Sequence, residues 1–167
     1  MGKEKKCTLY KKYTSYKKCI PYLILAGFTF FFCWWFVGRH GIFGAKVDWL
    51  SQHSVLPDYF RQQFYATGKI FPEFAPNLGG GQNIYHFAYY GLYSPLILPS
   101  YLLPFVKMSD YIMVISITGL TVSVLLFYYW LKSRKMDTGV AFIISLMFLL
   151  AGPMIGQYSG CLLYTSP

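Results

Sequence analysis

The chain has 167 residues, of which 55% are hydrophobic, 21% are aromatic and only 13% are charged. A soluble domain carries about 25% charged residues, and a small globule has no interior large enough to hide the long apolar runs found here. The composition therefore excludes an ordinary soluble domain and indicates an integral membrane protein.

Residues 1–19 form a basic tail that supplies most of the formal net charge of +9. A lysine-rich run can indicate nucleic-acid binding. Beside a membrane span it is better explained as a cytoplasmic tail facing anionic lipid, where each lysine contributes roughly 1 kcal/mol. We therefore expect the lipid bilayer, and no nucleic acid, as the partner of this tail. Its lysines are Lys3, Lys5, Lys6, Lys11, Lys12, Lys17 and Lys18.

The first apolar run, residues 20–37, is predicted to be transmembrane helix 1. At about 1.5 Å per residue it reaches roughly 27 Å, close to the hydrocarbon thickness of a bilayer. Trp34, Trp35 and Phe36 stand at its far end, where membrane proteins carry an aromatic belt. A cleaved signal peptide is the alternative, but the basic region is long and the apolar run exceeds the usual ~7–15 residues.

Residues 38–110 form a long, turn-rich loop, which we expect to carry short interfacial helices. Pro57 suits the first position of a helix, Asp58 suits the positive end of a helix, and Gly68 suits a C-terminal cap. The apolar residues between them recur at helical spacing, which predicts a short helix lying on the membrane surface. These apolar residues are Leu56, Tyr59, Phe60 and Phe64.

The apolar stretch 95–106 is too short to cross a membrane and contains three prolines, so we predict a re-entrant or interfacial segment. Residues 111–131 and 140–155 are predicted as transmembrane helices 2 and 3, joined by a cytoplasmic loop at 132–139. Residues 156–167 resemble a truncated end. We therefore expect the chain to be the N-terminal fragment of a longer polytopic protein.

The distribution of basic residues sets the predicted orientation. With spans at 20–37, 111–131 and 140–155, the tail and the loop 132–139 lie on one side and together hold ten basic residues, whereas residues 38–110 hold five. The positive-inside rule then places the N-terminus in the cytoplasm and the long loop outside. The five basic residues of the loop are Arg39, Lys46, Arg61, Lys69 and Lys107.

The long loop also holds the residues with the clearest chemical potential. Asp48 lies about ten residues beyond the first span, where a carboxylate can act as a general base for an acceptor hydroxyl. Arg61, Lys46 or His53 can stabilise a phosphate leaving group. The structural alternative is that Asp48 caps a turn and that Arg61 pairs with a lipid phosphate.

Metal and nucleotide sites find little support in the residue pattern. Gly79-Gly80-Gly81 lacks the Lys-Ser/Thr of a P-loop and follows no buried strand, so a turn is favoured over a phosphate cradle. The histidines are not at HExxH spacing. The four cysteines show neither metal-ligand spacing nor a pairing pattern, so we predict no metal site and no disulfide (Cys7, Cys19, Cys33 and Cys161).

The pattern from Val47 to Pro95 resembles the first outer loop of the YfhO family of bacterial membrane proteins. The layout of the spans on either side extends the resemblance over most of the chain. Trp49 follows the acid where many members have glycine. The residues that carry the resemblance are Asp48, Gln52-His53, Asp58-Tyr59, Phe64-Tyr65, Gly79-Gly80-Gly81 and Tyr89-Tyr90-Gly91 leading to Pro95.

This resemblance implies a GT-C type glycosyltransferase, an all-α polytopic membrane protein with a long first extracytoplasmic loop bearing short surface helices. Such an enzyme moves a sugar from a polyprenyl-phosphate donor to a cell-envelope polymer, here teichoic or lipoteichoic acid, at the outer face of the bacterial cell membrane. Asp48 occupies the place of the catalytic acid. No cofactor is implied, although some enzymes of this type use a divalent metal ion, which Asp48 would then hold.

The same interpretation predicts substrate-binding roles for His53, Asp58, Arg61, Tyr89 and Tyr90. The aromatic group, which also includes Tyr85 and His86, can stack on sugar rings, and interfacial anchoring accounts for it equally well. Two other classes of function remain open. A transporter or flippase subunit would bury paired polar groups within its spans, and a non-catalytic envelope protein would tolerate replacement of Asp48.

Overall fold

A computed structural model describes residues 2–41, 52–70, 72–83, 86–87 and 94–151, with only the backbone described for residues 2–18 and residue 40. The described chain is predominantly helical. Its elements are α1 (Gly2–His40), α2 (Val55–Thr67), β1 (Phe74–Ala75), β2 (Gln82–Asn83), a 3₁₀ helix (Leu98–Leu102), α3 (Met108–Ser133) and α4 (Thr138–Leu150).

Two of the described helices are long and apolar enough to cross a membrane. They are the Cys19–Arg39 part of α1 and the whole of α3, and they contain the predicted segments 20–37 and 111–131. The basic tail continues α1 as helix, with Pro21 inside it. Helix α4 is apolar and has 13 residues, which account for most of the predicted segment 140–155. Residues 152–155 lie outside the described residues.

The three apolar helices pack against one another through one narrow stripe each. Each stripe repeats at about every fourth residue, as expected for one face of a helix. Several of its members are small, which lets neighbouring backbones approach closely, as they do in membrane bundles. The buried stripes are Leu25, Thr29 and Cys33 in α1, Ser116, Leu120, Val124 and Tyr128 in α3, and Ala141, Ser145 and Leu149 in α4.

The remaining faces of these helices carry large apolar side chains that the described protein leaves exposed. Soluble monomers rarely expose contiguous apolar patches of this extent, whereas lipid covers them without cost. The helices are therefore built to contact hydrocarbon. The exposed residues include Leu23, Ile24, Phe31 and Trp34 in α1, Val114, Leu126 and Tyr129 in α3, and Ile143 and Met147 in α4.

Hydroxyl side chains buried in these helices are mostly satisfied within their own helix. Thr29, Thr121 and Ser145 each donate to the carbonyl four residues earlier, with donor–acceptor distances of 2.8 Å. Such internal bonds meet the requirement that polar groups in hydrocarbon have partners. Ser116 differs, because its buried Oγ has no hydrogen-bond partner among the described residues.

Helix α1 runs antiparallel to α3. At one end of the pair the rings of Tyr22 and Tyr128 meet edge to face with centroids 4.8 Å apart. Towards the other end Trp34 and Val37 lie beside Met113. The chain between α1 and α3 therefore joins them at the end marked by Arg39 and Met108, and the α3–α4 turn lies at the opposite end.

The α3–α4 turn is fixed by two charged side chains. Lys132 Nζ donates to the carbonyl of Met136 at 3.0 Å and to Oγ1 of Thr138 at 2.9 Å. The carboxylate of Asp137 accepts the backbone N–H of Gly139 at 2.8 Å and so caps the N-terminus of α4. This hydrogen bond, supported by neighbouring backbone N–H groups and the charge of Lys132, lowers the pKa of Asp137 below its ordinary value.

Helix α2 ends where the sequence predicted and begins at Val55, two residues before Pro57, which was predicted as its first position. Pro57 and Asp58 lie in its first turn, and Gly68, at φ 71°, closes it with a hydrogen bond from its N–H to the carbonyl of Phe64 at 2.8 Å. The apolar face of α2, which was predicted to lie on the membrane surface, packs against protein in the structure. Leu56 and Phe60 are buried against protein, in a cluster with Ala75, Leu78 and Phe87, so that face is not available to lipid.

The triple glycine forms the turn of a small antiparallel hairpin, in which β1 pairs with β2 through Phe74 and Asn83. Gly79, Gly80 and Gly81 have φ values of 56°, 81° and 97°, a region that side chains disfavour. A Cβ on Gly81 would also lie 2.7 Å from the ring of Phe74. These glycines therefore shape a turn, as the sequence favoured.

Candidate functional site

Residues 94–107, here called the proline-rich segment, connect the loop to the start of α3. The segment is irregular apart from its 3₁₀ helix, and it contains Pro95, Pro99 and Pro104, which have no N–H to donate. An irregular backbone leaves carbonyl groups that must find donors elsewhere. Two come from tyrosines: Tyr65 in α2 donates to the carbonyl of Tyr101, and Tyr111 in α3 donates to that of Leu96, both at 2.7 Å.

Arg61 supplies the third attachment, from α2 to the end of the segment. Its Nη1 donates to the carbonyls of Val106 at 2.8 Å and Leu103 at 3.3 Å, and its Nη2 pairs with Asp58 Oδ1 at 2.7 Å. Asp58 also accepts a hydrogen bond from Gln62 at 2.9 Å. The guanidinium is therefore buried, charge-neutralised and committed to backbone carbonyls, while the carboxylate of Asp58 stays partly exposed at 34%.

A groove of about 530 Å³ lies between this face of α2 and the first residues of α3. One wall carries the Asp58–Arg61 pair and Tyr59, and the other carries Phe105, Lys107 and the start of α3. Lys107 is exposed at the point where α3 begins. The groove thus presents a carboxylate, an ammonium group and apolar surface together, at the end of the helices where α3 begins.

Tyr59, one of the residues that line the groove, carries an unsatisfied hydroxyl. It is buried and has no hydrogen-bond partner among the described residues. The ring itself is held edge-on against Phe60, with centroids 5.2 Å apart. A buried hydroxyl left without a partner costs about 1–3 kcal/mol, so a side-chain movement that brings it to a polar ligand recovers this energy.

The structure brings some of the predicted site residues together and leaves others undescribed. Asp58 and Arg61 form an ion pair at the groove, and His53 is buried in the turn that leads into α2. His86 is exposed on a short turn beyond the hairpin. The predicted base Asp48 and the predicted sugar-stacking Tyr89 and Tyr90 lie outside the described residues, as do Lys46 and Tyr85, so their roles stay predictions.

Tyr59 and Lys107 were not among the predicted site residues. Each had a signal in the sequence: Tyr59 follows Asp58 on the predicted helix, and Lys107 is the last cation before an apolar span. Their meeting at one groove depends on a fold that brings residues 54–62 against residues 104–109. Sequence spacing alone does not reveal such a contact.

Metal binding receives no added support from the part of the chain that the structure describes. No group of three or more histidine, cysteine or acidic side chains comes together there. Within the same residues, Cys19 is an exposed thiol and Cys33 a buried one, and neither forms a disulfide.

The helices bury one narrow stripe each and expose large apolar faces, which is typical of a helical membrane protein. The comparison with protein families agrees with this class, because a family model described as "Bacterial membrane protein YfhO" matches residues 18–160. The chain belongs to the YfhO family of bacterial membrane proteins. Neither a curated protein nor a solved structure matches it.

Proposed function

We propose that this protein is the N-terminal part of a GT-C type membrane glycosyltransferase, which moves a sugar from a polyprenyl-phosphate donor to a cell-envelope polymer such as lipoteichoic or teichoic acid. Membership of the YfhO family supports a membrane protein of the glycosyltransferase kind. The observation that carries the site is the groove beside α2, which combines a carboxylate and an ammonium group at the border of apolar helices.

The reaction needs a base for the acceptor hydroxyl and a cation for the leaving phosphate. Asp48 takes the proton of the acceptor hydroxyl, whose oxygen then bonds to the anomeric carbon of the sugar while the bond from that carbon to the donor phosphate breaks. The polyprenyl phosphate leaves with the electron pair of that bond. Positive charge is needed beside the departing phosphate, and Lys107 at the mouth of the groove is suited to supply it.

Asp58 and Arg61 have different proposed roles. The guanidinium of Arg61 already bonds two carbonyls and Asp58, so its main effect is to hold the groove wall in place. The exposed carboxylate oxygen surface of Asp58 is accessible to sugar hydroxyls, from which it can accept hydrogen bonds. His53, Tyr89 and Tyr90 are proposed to complete the sugar site from the neighbouring loop.

A lipid-linked donor also requires an apolar path for its prenyl chain. A second groove of about 270 Å³, lined almost entirely by apolar side chains, lies between α1 and α3. Phe30, Trp34 and Val37 form one wall, and Met113 and Ile117 form part of the other. Because this groove lies near the end of the helices that carries the polar groove, it suits a lipid whose phosphate sits beside Lys107.

The proposed orientation follows from charge. The N-terminus and the α3–α4 turn, with Lys132, Arg134 and Lys135, face the cytoplasm, and residues 38–110 face the outside. A polyprenyl-phosphate sugar presented in the outer leaflet would then reach the groove directly. The protein is accordingly proposed to be a multi-pass protein of the bacterial cell membrane.

The activity itself is tested with the complete protein reconstituted in lipid vesicles that contain a radiolabelled polyprenyl-phosphate sugar. Addition of lipoteichoic acid to the face that carries residues 38–110 is expected to yield labelled polymer and free polyprenyl phosphate. If the label remains on the lipid with a panel of donor sugars and envelope polymers, the proposed reaction is wrong.

Replacing Tyr59 by phenylalanine tests the groove as the donor site. We expect Tyr59→Phe to raise the KM for the donor by about tenfold, the equivalent of one lost hydrogen bond, with kcat unchanged. The unfolding temperature should stay the same or rise, because the hydroxyl has no protein partner to lose. Steady-state kinetics and thermal unfolding in detergent provide the two readouts.

Tyr65→Phe is the matched control, since the hydroxyl of Tyr65 donates to the carbonyl of Tyr101. This change is expected to lower the unfolding temperature and to leave the KM unchanged. An unaltered KM in Tyr59→Phe, or an equal rise in both variants, would remove the groove from donor binding.

A transporter or flippase remains the alternative class, and the described helices weigh against it. Ion and proton pathways through a membrane usually bury charged or paired polar residues inside spans. Within the described parts of α1, α3 and α4 no charged side chain is buried, and most of the buried polar groups are hydroxyls, such as those of Thr29, Ser116, Thr121 and Ser145.

A further inference from the structure

The tip of the proline-rich segment, residues 102–105, exposes large apolar side chains. Leu102 is 81% exposed and Phe105 is 92% exposed, and Leu103 between them is also exposed. A phenylalanine in this position gains almost nothing from packing within the protein. Its apolar surface is stabilised only if something other than water covers it.

The tip stands on a base that is firmly packed. Ile97 and Tyr101 are buried in one cluster with Met108 and Ile112 of α3. The ring of Tyr101 lies against Phe64 of α2, with centroids 5.2 Å apart. The exposure of the tip is therefore a consequence of how its neighbours are packed, since residues on both sides of it are held in place.

Several backbone groups around the tip form hydrogen bonds within the protein. The N–H of Leu103 bonds the carbonyl of Ser100 at 3.0 Å, and the N–H of Val106 bonds that of Leu103 at 3.2 Å. Arg61 donates to the carbonyls of Leu103 and Val106, on either side of Phe105. Hydrocarbon accepts irregular backbone only where its polar groups have partners within the protein, and these bonds supply partners on both sides of Phe105.

The tip is also continuous with the membrane-spanning surface. Helix α3 begins at Met108, three residues after Phe105, and its outward face carries exposed apolar residues such as Val114. Lys107 lies between the tip and the helix and is exposed. An ammonium group between two apolar surfaces is suited to the phosphate layer of a lipid leaflet.

We propose that residues 102–105 form a wedge that inserts into the lipid leaflet beside the start of α3, and that Arg61 is the clip that holds the wedge at its depth. The partner is the acyl region of the bilayer itself. The wedge fixes the height of the neighbouring groove relative to the membrane. This role goes beyond the proposed sugar transfer and does not depend on it.

The depth of the tip is measured with a fluorescent label in the full chain, reconstituted in vesicles of phosphatidylethanolamine and phosphatidylglycerol. All cysteines of the protein, which include Cys7, Cys19, Cys33 and Cys161, are first replaced by alanine. An environment-sensitive NBD label is then attached in the Phe105→Cys variant and, as a matched control, in Lys69→Cys, at an exposed site just beyond α2. Quenching by aqueous iodide is compared with quenching by lipids spin-labelled at two depths.

We expect the label at position 105 to be blue-shifted, shielded from iodide and quenched by lipid at about 5–10 Å below the headgroups, the depth typical of interfacial insertion. The label at position 69 should be quenched by iodide and not by the lipid spin labels. If iodide quenches both labels equally, or if neither quencher reaches position 105 because protein covers it, the wedge is contradicted.

The clip is tested by adding Arg61→Leu to the Phe105→Cys variant. Loss of the two carbonyl contacts is expected to move the label towards water and to increase its motional freedom, measured by fluorescence anisotropy. An unchanged depth and anisotropy would show that Arg61 does not set the position of the tip.

Discussion

Asp48→Asn is expected to abolish sugar transfer in the complete protein while leaving its expression and membrane insertion unchanged. A positioned general base contributes about 10²–10⁴-fold to a reaction of this kind, and an amide cannot take the acceptor proton. Transfer should therefore fall at least about 100-fold at saturating donor. The readout is radiolabelled polymer formed per amount of protein in isolated membranes.

Asp110→Asn is the matched control for this substitution. Asp110 is an exposed carboxylate in the first turn of α3, at the same end of the helices as the groove. Its replacement should leave the transfer rate close to that of the unmodified protein. Full activity in Asp48→Asn would take Asp48 out of the mechanism and would favour a non-catalytic envelope protein.

Arg61→Leu is expected to have the second largest effect, and the effect should fall on stability. The substitution removes hydrogen bonds to the carbonyls of Leu103 and Val106 and leaves Asp58 without its cation. Because charge-assisted hydrogen bonds contribute about 1.5–3 kcal/mol and Asp58 is partly solvated, we expect a loss of about 2–3 kcal/mol. Thermal unfolding in detergent measures the loss, and hydrogen exchange locates it in the proline-rich segment.

Lys107→Leu separates this structural role from phosphate binding. Lys107 is exposed, so its replacement should change stability by less than about 0.5 kcal/mol and should raise the KM for the lipid donor. Arg61→Leu should show the opposite pattern, with a large loss of stability. An Arg61→Leu protein that unfolds normally but binds the donor poorly would restore Arg61 as a direct phosphate ligand.

The helices could be predicted from the sequence because their signals are local. Long apolar runs predicted α1 and α3, and Pro57, Asp58 and Gly68 predicted the limits of α2 within two residues. Periodicity identifies an apolar face without identifying what covers it. The face of Leu56 and Phe60 was therefore assigned to the membrane surface, whereas the structure packs it against the hairpin and Phe87.

The candidate site was harder to predict for the same reason. Arg61 was interpreted as a cation free to meet phosphate, because its contacts with the Leu103 and Val106 carbonyls span more than forty residues of sequence. The groove that joins Tyr59 to Lys107 depends on the same long-range packing. Among the loop residues that carry the family resemblance, Asp48 and Tyr89-Tyr90-Gly91 rest on sequence pattern alone, since they lie outside the described residues.

Cysteine accessibility on intact cells tests the central claim, that residues 38–94 meet water at the outer face while apolar helices on either side cross the membrane. The paired sites are Asn83, exposed on the hairpin, and Arg134, exposed in the α3–α4 turn at the opposite end. In a cysteine-free background, Asn83→Cys should react with a membrane-impermeant maleimide, and Arg134→Cys should react only after the cells are opened. Labelling of Arg134→Cys on intact cells with protection of Asn83→Cys would contradict the orientation, and the proposed transfer at the outer face with it.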